Sequence, residues 1–258
     1  KAVQSGTSHY MGTKFAEAFD ITYLNKENKH VHAFTTSWGV STRLIGAMIM
    51  THGDDSGLIL PPKVAPQQVV IIPVGPKKKL DVVMEKVDEL YAELKAAGIR
   101  TVVDDSDNSP GYKFNEWELR GVPVRIEVGP RDIENNQVVL KARDADEKQF
   151  VSLADTPLVD TVQAELTAMQ TRLFNSAVDM NASHIYTNIN TLDELSAHIE
   201  AQREAGEVPG WVLAGWDGTK ESEAKIKEAT GFTTRNIPFA GQYEEKTTCI
   251  VTGAPATH

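Results

Sequence analysis

The sequence has a single cysteine, Cys249, among its 258 residues. One thiol cannot form a disulfide within the chain, so a secreted fold stapled by disulfides is excluded, and we expect a protein of the reducing cytoplasm. The sequence also lacks any apolar run near the roughly 20 residues that a membrane-spanning helix needs, so we expect no membrane partner. The opening residues, KAVQSGTSHYMG, are polar and unlike a secretory signal peptide.

Positive charge is scarce as well. The chain has 26 Lys and Arg against 36 Asp and Glu, which gives a net charge of −10. Nonspecific binding to nucleic acid requires clustered cations, so this balance argues against it while leaving room for a local basic patch. With 41% hydrophobic and 24% charged residues, the composition is that of a globular protein with real cores. The length fits two or three small domains.

Three segments differ in their patterns, and the first is 1–65. Its spacing predicts a helix in HYMGTKFAEAFD and two strands in ITYLNKENKHVHAFTTSWGV around the turn 25–28. A second helix is predicted in STRLIGAMIMTHG, begun by Ser41 and stopped by Gly53. Strands joined by a short turn indicate antiparallel sheet. The proline-rich stretch 60–68 predicts a linker.

The other two segments are 66–152 and 153–258. In the first, the strands QVVIIPV, RTVVDD, VPVRIEVG and QVVLKARD alternate with two helical patterns, which predicts an α/β domain with a mixed sheet. A long helical pattern over about 151–182 is expected to bridge into the last segment. There we predict a small α/β unit with helices in TLDELSAHIEAQREAG and SEAKIKEATGF and strands in GWVLAGWDG, RNIPF and TTCIVTG.

One long stretch, GVSTRLIGAMIMTHGDDSGLILPPKVAPQQVVIIPV, resembles the class II aminoacyl-tRNA synthetases, specifically prolyl-tRNA synthetases of the archaeal/eukaryotic-like type. QSGTSHYMGTKFAEAFDI, KFNEWELRGVPVRIEVGPRD and IKEATGFTTRNIPF extend the resemblance in the family's order. It implies that 1–65 is the C-terminal part of an antiparallel-sheet catalytic domain with the third class motif. By the same resemblance, 66–152 is an anticodon-binding domain and 153–258 a bridging helix with a C-terminal domain.

The resemblance also implies an activity. The family joins proline to tRNA(Pro): ATP, with Mg²⁺, activates proline to prolyl-adenylate, and the prolyl group then passes to the tRNA. The parent enzyme is expected to be a homodimer. Since the first two class motifs are absent from this sequence, we expect the chain to be a fragment that is inactive alone.

Arg43 stands out because it lies in an apolar run. A lone buried charge is costly, so either a carboxylate or a ligand should pair with it. The resemblance implies ATP phosphates, which a permanently charged guanidinium can grip bidentately and stabilise in the transition state. A structural ion pair is the alternative. The resemblance further places Gln4 and Thr7 in the ATP pocket and His9, Ser37 and Trp38 in the proline pocket.

Two of these residues have plainer explanations. His9 could be satisfied by the backbone at a helix entry, and Trp38 could be a core side chain.

The resemblance marks KFNEWELRGVPVRIEVGPRD as an anticodon-binding surface. Proline anticodons share two guanines, whose Watson–Crick edges offer donors and an acceptor and so suit a carboxylate with a cation. Ordinary surface ion pairs are the alternative. The candidates for anticodon contacts are Glu118, Arg125, Arg131 and Asp132, with Lys113 or Lys148 on phosphate.

Many relatives carry a four-cysteine zinc site in the C-terminal domain. The corresponding positions here are Asp217, Ser222, Cys249 and Thr252. A structural zinc site needs four good ligands, usually thiolates and imidazoles, so we expect no zinc. We expect packing to replace the metal, supplied by Trp211, Trp216, Ile226 and Phe239.

Two other functions compete with the synthetase. One is a stand-alone tRNA-binding or regulatory paralogue that has lost catalysis. Arg43, Thr7 and His9 argue against it, because a pure binding protein does not need contacts to ATP and an amino acid. The other is a structural module with an unrelated partner, which would require several coincident motif matches.

Overall fold

The computed structural model describes residues 3–258, which form one compact unit up to Thr171 and a second, Arg172–His258. The strands are β1 (Thr7–Gly12), β2 (Thr22–Leu24), β3 (His30–His32), β4 (Thr35–Gly39), β5 (Gly53–Asp54), β6 (Gly57–Leu58), β7 (Val69–Pro73), β8 (Thr101–Val103), β9 (Val124–Val128), β10 (Gln137–Ala142), β11 (Gln149–Ser152), β12 (Ile185–Tyr186) and β13 (Trp211–Val212). The helices are α1 (Lys14–Ala18), α2 (Arg43–Thr51), α3 (Leu80–Ala96), α4 (Pro110–Leu119), α5 (Pro130–Glu134), α6 (Leu158–Ser183), α7 (Leu192–Glu204) and α8 (Lys220–Thr230).

The first part of the larger unit consists of antiparallel ribbons, as predicted. β1 pairs with β4, β2 with β3, and β5 with β6. The turn between β2 and β3 is fixed by Asn25, whose side-chain oxygen accepts from the backbone N–H groups of Glu27 and Lys29. The helix predicted from His9 onwards is wrong in part, because His9 to Gly12 extend along β4 and only Lys14–Ala18 are helical. Cross-strand pairing overrides the helical spacing there.

A mixed five-stranded sheet with the order β11-β10-β9-β7-β8 follows, which confirms the predicted fold class. β7 is parallel to β8 and β9, while β10 is antiparallel to β9 and β11. Both faces are covered, because residues of α3 and α6 pack in one core cluster and α4 contributes Phe114 and Trp117 to the other. Burial on both faces accounts for the continuous apolar sequence of β7.

Two predictions about the edges of this sheet are wrong. The long helix begins at Leu158 rather than near 151, because Gln149–Ser152 pairs with β10 as strand β11. The stretch 60–68 is not a free linker. Pro61, Pro62 and Ala65 are buried, and Arg100 donates to the carbonyls of Ala65 and Pro62 at 2.9 and 2.8 Å.

The second unit contains α7, α8 and the short parallel pair β12–β13. RNIPF forms no strand, and TTCIVTG contributes only single bridges, from Cys249 to Gly215 and from Thr248 to Pro255. Among residues 3–258, no helix combines the length and the apolar character that crossing a membrane requires. The core of this unit is formed by Ile189, Leu195, Ile199, Ile226 and Ile250.

Candidate functional site

The β1–β4 ribbon brings several of the predicted pocket residues together. His9 lies directly opposite Ser37, and Thr7 lies opposite Gly39. Because side chains alternate along a strand, Thr7, His9 and Ser37 share one face. The side chain of Gln4 donates to the Thr7 hydroxyl at 2.6 Å, so the two candidates for the ATP pocket are joined.

Trp38 lies on the other face of this ribbon. It is opposite Ser8, and 79% of its surface is exposed. It is therefore not a core side chain in this structure. The alternation also separates it from His9 and Ser37, so the ribbon by itself does not form a pocket with the indole as a wall.

Arg43 is the first residue of α2 and is exposed, so the expectation of a buried charge is wrong. Within residues 3–258, it makes no hydrogen bond or ion pair. A cation at a helix N-terminus lies at the positive end of the helix dipole, which disfavours it. An anion bound there would be attracted by the guanidinium and by the N-terminal N–H groups together.

The charged residues of the anticodon candidate lie on one face of β9. Val124, Ile126 and Val128 pack in the main core, which places Arg125 and Glu127 on the opposite face. Glu127 accepts from Arg125 Nε at 3.1 Å and from Lys148 Nζ at 2.7 Å.

Phe114 on α4 lies beneath both cations of this group. Its ring centre is 4.3 Å from the Arg125 guanidinium carbon and 5.1 Å from the Lys148 ammonium. Stacking on an aromatic face holds both cations without neutralising them. Since the two cations share the one carboxylate of Glu127, a net positive charge remains, and Lys148, whose side chain is 43% exposed, presents it beside the sheet of a strongly acidic protein.

A cleft next to these residues combines charges of both signs. In the described part of the chain, the Glu118 carboxylate and the two terminal nitrogens of Arg125 make no hydrogen bond, so the carboxylate can accept from a ligand and the guanidinium can donate to one. An acceptor and a donor in one cleft can bond to the edge of a nucleobase. The cleft is lined by Trp117, Glu118, Val122, Arg125, Lys141 and Arg143.

Lys113 is placed differently from our expectation. It is 4% exposed, and its ammonium donates to the backbone carbonyl of Asp104 at 2.8 Å and lies 3.7 Å from the Asp104 carboxylate. Burial acts to raise the pKa of Asp104, but hydrogen bonds from Ser106 and Trp117 outweigh it and leave the pKa lowered. A buried, paired ammonium cannot reach a phosphate, so Lys113 fixes α4 instead.

The pair Arg131 and Asp132 lies at the start of α5. The Asp132 carboxylate accepts from the backbone N–H of Gly129 at 2.9 Å and so caps this helix. Arg131 is exposed and, within the described residues, has no hydrogen-bond or ion-pair partner. Of this pair, only Arg131 is free to contact a ligand.

Four residues of this region were missed by the sequence interpretation: Phe114, Glu127, Lys141 and Arg143. Glu127 was detectable, because VRIEV alternates apolar and charged residues and therefore places Arg125 and Glu127 on one face. Lys141 lies opposite Arg125 in the register of β9 and β10. No local sequence pattern identifies Phe114, Lys141 or Arg143. They come together only because β10 pairs with β9 and α4 packs against the sheet.

In the second unit, the four positions that correspond to zinc ligands in relatives meet around Asp217. Its carboxylate accepts from the hydroxyls of Ser222 at 2.6 Å, Thr219 at 3.0 Å and Thr252 at 3.3 Å. The Ser222 hydrogen bond is the main reason that the pKa of Asp217 falls to about 2, and Cys249 contributes another hydrogen bond.

This hydrogen-bonded cluster (Asp217, Thr219, Ser222, Cys249 and Thr252) has one carboxylate and one thiol among hydroxyls, rather than the thiolates and imidazoles that usually hold structural zinc. Within residues 3–258, no three His, Cys, Asp or Glu side chains are grouped to hold a metal ion. The packing that we expected here is only partly present. Ile226 is 7% exposed, whereas Trp211 is 40% and Phe239 is 88% exposed.

Comparisons with known proteins agree with this layout. Residues 68–165 match the family "Anticodon binding domain", and residues 199–258 match the family "Prolyl-tRNA synthetase, C-terminal". The chain is 52% identical over its whole length to a proline–tRNA ligase of Symbiobacterium thermophilum, covering 52% of that protein. It is 46% identical to one of Prosthecochloris aestuarii, covering 53% of it.

A solved structure is similar as well. The prolyl-tRNA synthetase of Cryptosporidium parvum, complexed with L-proline and AMP, matches 99% of this chain with a TM-score of 0.83 and 35% identity, and 53% of that protein is covered. The chain thus spans about half the length of the relatives that it matches.

Proposed function

This chain corresponds in sequence and fold to the C-terminal portion of prolyl-tRNA synthetases, and we propose that it serves as that portion of a proline–tRNA ligase. The whole enzyme would use ATP to activate proline and would transfer the prolyl group to tRNA(Pro). Residues 68–165 would bind the anticodon. The observation that carries the proposal is the cleft with free Glu118 and Arg125 groups on a domain of the anticodon-binding family.

The chemistry of the cleft suits guanine. The Glu118 carboxylate can accept from the N1–H and N2–H groups, while an Arg125 Nη can donate to O6. Lys148, whose side chain is 43% exposed, can reach a neighbouring phosphate while it keeps its bond to Glu127. Arg131 supplies a second exposed cation. Single-stranded bases expose such edges, as in an anticodon loop.

Residues 3–58 would complete a catalytic domain. Their apolar surface lacks cover within the described residues, because Ala16 is their one buried hydrophobic residue. That is expected of a part of a sheet whose remaining strands lie elsewhere. The exposed hydrophobic residues include Tyr10, Phe15, Phe19, Tyr23, Phe34, Trp38, Ile45 and Met50.

The reaction would give roles to residues on and next to the β1–β4 ribbon and at the start of α2. A carboxylate oxygen of proline attacks the α-phosphorus of ATP, a new P–O bond forms, and the bond to pyrophosphate breaks. Arg43 would stabilise the charge that moves to the departing pyrophosphate. Gln4 and Thr7 would hold the nucleotide, and His9 and Ser37 the proline.

Three further properties belong to this proposal. Mg²⁺ would arrive with ATP as part of the substrate, and the whole enzyme would be a homodimer in the cytoplasm.

A tRNA-binding paralogue without catalysis is the second candidate. The Arg125–Glu127–Lys148 group favours this candidate, because a protein that only binds tRNA would also need such a group. The candidate gives no role to Arg43, which has no partner within residues 3–258.

Arg43→Ala distinguishes the two candidates. In the full-length protein that contains this chain, proline-dependent exchange of pyrophosphate into ATP should fall at least about 100-fold, because a group that stabilises the transition-state charge is lost. Arg203→Ala, at an exposed arginine in the last turn of α7, is the matched control. Exchange that is absent in the unmodified protein would favour the paralogue, whereas exchange unaffected by Arg43→Ala would remove Arg43 from catalysis.

A further inference from the structure

The guanidinium of Arg143 connects the segment that contains Arg43, to which the proposed function assigns catalysis, with the cleft that would bind the anticodon. Arg143, whose side chain is 5% exposed, donates to both carboxylate oxygens of Asp54, at 2.6 and 3.0 Å. That hydrogen bonding is the main cause that lowers the pKa of Asp54. Asp54 belongs to β5, in the segment that contains Arg43. Arg143 directly follows β10 and lines the cleft that contains Arg125.

The third donor of Arg143 faces the cleft residue Glu118. Arg143 Nε donates to the backbone carbonyl of Glu118 at 3.1 Å, and the Glu118 carboxylate is the group assigned to the base. A bidentate ion pair fixes position and direction, because two parallel bonds leave little rotation. One rigid, planar group therefore connects the Glu118 backbone to the Asp54 carboxylate.

The backbone around this pair is equally tight. A Cβ on Gly57 would lie 2.5 Å from Leu119 Cα, so β6 runs against the end of α4 without room for a side chain. The Leu60 N–H donates to the Gly121 carbonyl at 3.1 Å. The Ile59 N–H donates to the carbonyl of His52, the C-cap residue of α2, at 2.7 Å.

We propose that Arg143 is a positioning residue that couples occupancy of the Glu118–Arg125 cleft to the placement of α2 and Arg43. A base bonded to the Glu118 carboxylate holds the end of α4, Arg143 carries that position to Asp54, and the β5–β6 hairpin carries it to the C-terminus of α2. This inference rests on the proposed function. It adds that reading of the anticodon and catalysis are linked through a single ion pair.

The test is a two-by-two comparison in the full-length protein. One change is Asp54→Asn, which keeps the shape of the side chain but removes the charge from the pair. The other is a tRNA(Pro) whose two anticodon guanines are replaced. Aminoacylation kcat is measured for all four combinations, and proline-dependent pyrophosphate exchange without tRNA is measured for the unmodified protein and for each variant. Asp55→Asn is the control, because Asp55 is adjacent and exposed and has no hydrogen-bond or ion-pair partner within residues 3–258.

Coupling predicts that the loss of kcat on anticodon replacement is at least about fivefold smaller in Asp54→Asn than in the unmodified protein. Asp55→Asn should show the full loss, and the tRNA-free pyrophosphate exchange of each protein gives the basal rate with which its aminoacylation is compared. If the pair has only a structural role, Asp54→Asn and anticodon replacement reduce kcat independently, and the loss with both changes is the product of the two separate losses. That result overturns the inference. An unmodified protein that does not aminoacylate tRNA(Pro) at all would instead overturn the proposed function.

Asp54→Ala is the second variant, since it also removes the hydrogen bonds to Arg143. In this variant, the loss of kcat on anticodon replacement should be smaller still than in Asp54→Asn. A uniform loss of activity with both tRNAs, matched by a lower unfolding temperature, would count against coupling.

Discussion

At the scale of residues, the decisive feature is how each charge is satisfied. Arg125 and Lys148 share Glu127 and stack on Phe114. Lys113 has Asp104, whereas Arg43, Arg131 and the Glu118 carboxylate have no partner within residues 3–258. Sequence patterns identified which residues carry charge but not which of them are neutralised, because the partners lie on other elements. The proposed function uses these free groups together with Arg125 and Lys148, which Glu127 holds in place.

Glu127 should support the stability of the larger unit. Arg125 and Glu127 side chains are each only 10% exposed, so neutralising the carboxylate leaves a buried cation without compensation. We expect Glu127→Gln to lower the free energy of unfolding by about 2 kcal/mol. Urea unfolding measures this. Glu147→Gln, at an exposed neighbouring carboxylate, should change the free energy of unfolding by less than about 0.5 kcal/mol. Equal changes in the two variants would show that the ion pairs of Glu127 do not stabilise the fold.

Asp217 should make the second unit sensitive to acid. Its folded pKa of about 2 lies below the ordinary value of 3.8, so its contribution to stability is present above pH 3.8 and is lost as the pH falls towards 2. Asp217→Asn should therefore be less stable than the unmodified chain at pH 6, with a difference that narrows between pH 4 and 2. Denaturant midpoints across this range measure the difference.

A matched change at Asp155, which is exposed and has no hydrogen-bond or ion-pair partner within the described residues, is the control. If the difference for Asp217→Asn were constant with pH, the cluster would not depend on the ionised carboxylate.

At the scale of elements, the sequence predicted what local periodicity determines. The amphipathic pattern of α3 and the apolar run of β7 were found, as were α4, α7 and α8. The errors occur where tertiary contacts decide. β1 is a strand because it pairs with β4, β11 because it pairs with β10, and 60–68 is ordered because Arg100 holds its carbonyls.

The crossing of β6 with the end of α4 makes a sharp prediction about glycine. Gly121 and Gly98 both follow a helix with positive φ, +73° and +79°. A Cβ on Gly121 would lie 2.5 Å from the Leu58 carbonyl oxygen, whereas, within residues 3–258, no atom that a Cβ on Gly98 would meet lies within 4 Å. Both alanine variants pay about 1–2 kcal/mol for the left-handed conformation.

Gly121→Ala should therefore cost at least about 2 kcal/mol more than Gly98→Ala, because the two backbones must separate. Urea unfolding of the two variants compares them directly. Equal costs would mean that the crossing is easily relaxed, which would also weaken the proposed route from the cleft to α2.

At the scale of the whole molecule, an acidic chain that binds an anion must concentrate its cations. Arg125, Lys141, Arg143 and Lys148 occupy one region around the cleft although the net charge is −10. Binding should therefore depend on the bases as well as on phosphates, since little nonspecific attraction is available. Composition alone argues against nonspecific binding, but it does not locate the cleft.

The most direct measurement is a titration of this chain with tRNA carrying the proline anticodon and with a copy in which both anticodon guanines are replaced, at one fixed salt concentration. Replacement should weaken binding at least about tenfold, because Glu118 and Arg125 lose their partners. Glu118→Gln should reduce this difference between the two tRNAs, whereas Glu147→Gln should preserve it. Equal binding of both tRNAs to the unmodified chain would show that the cleft does not read the anticodon.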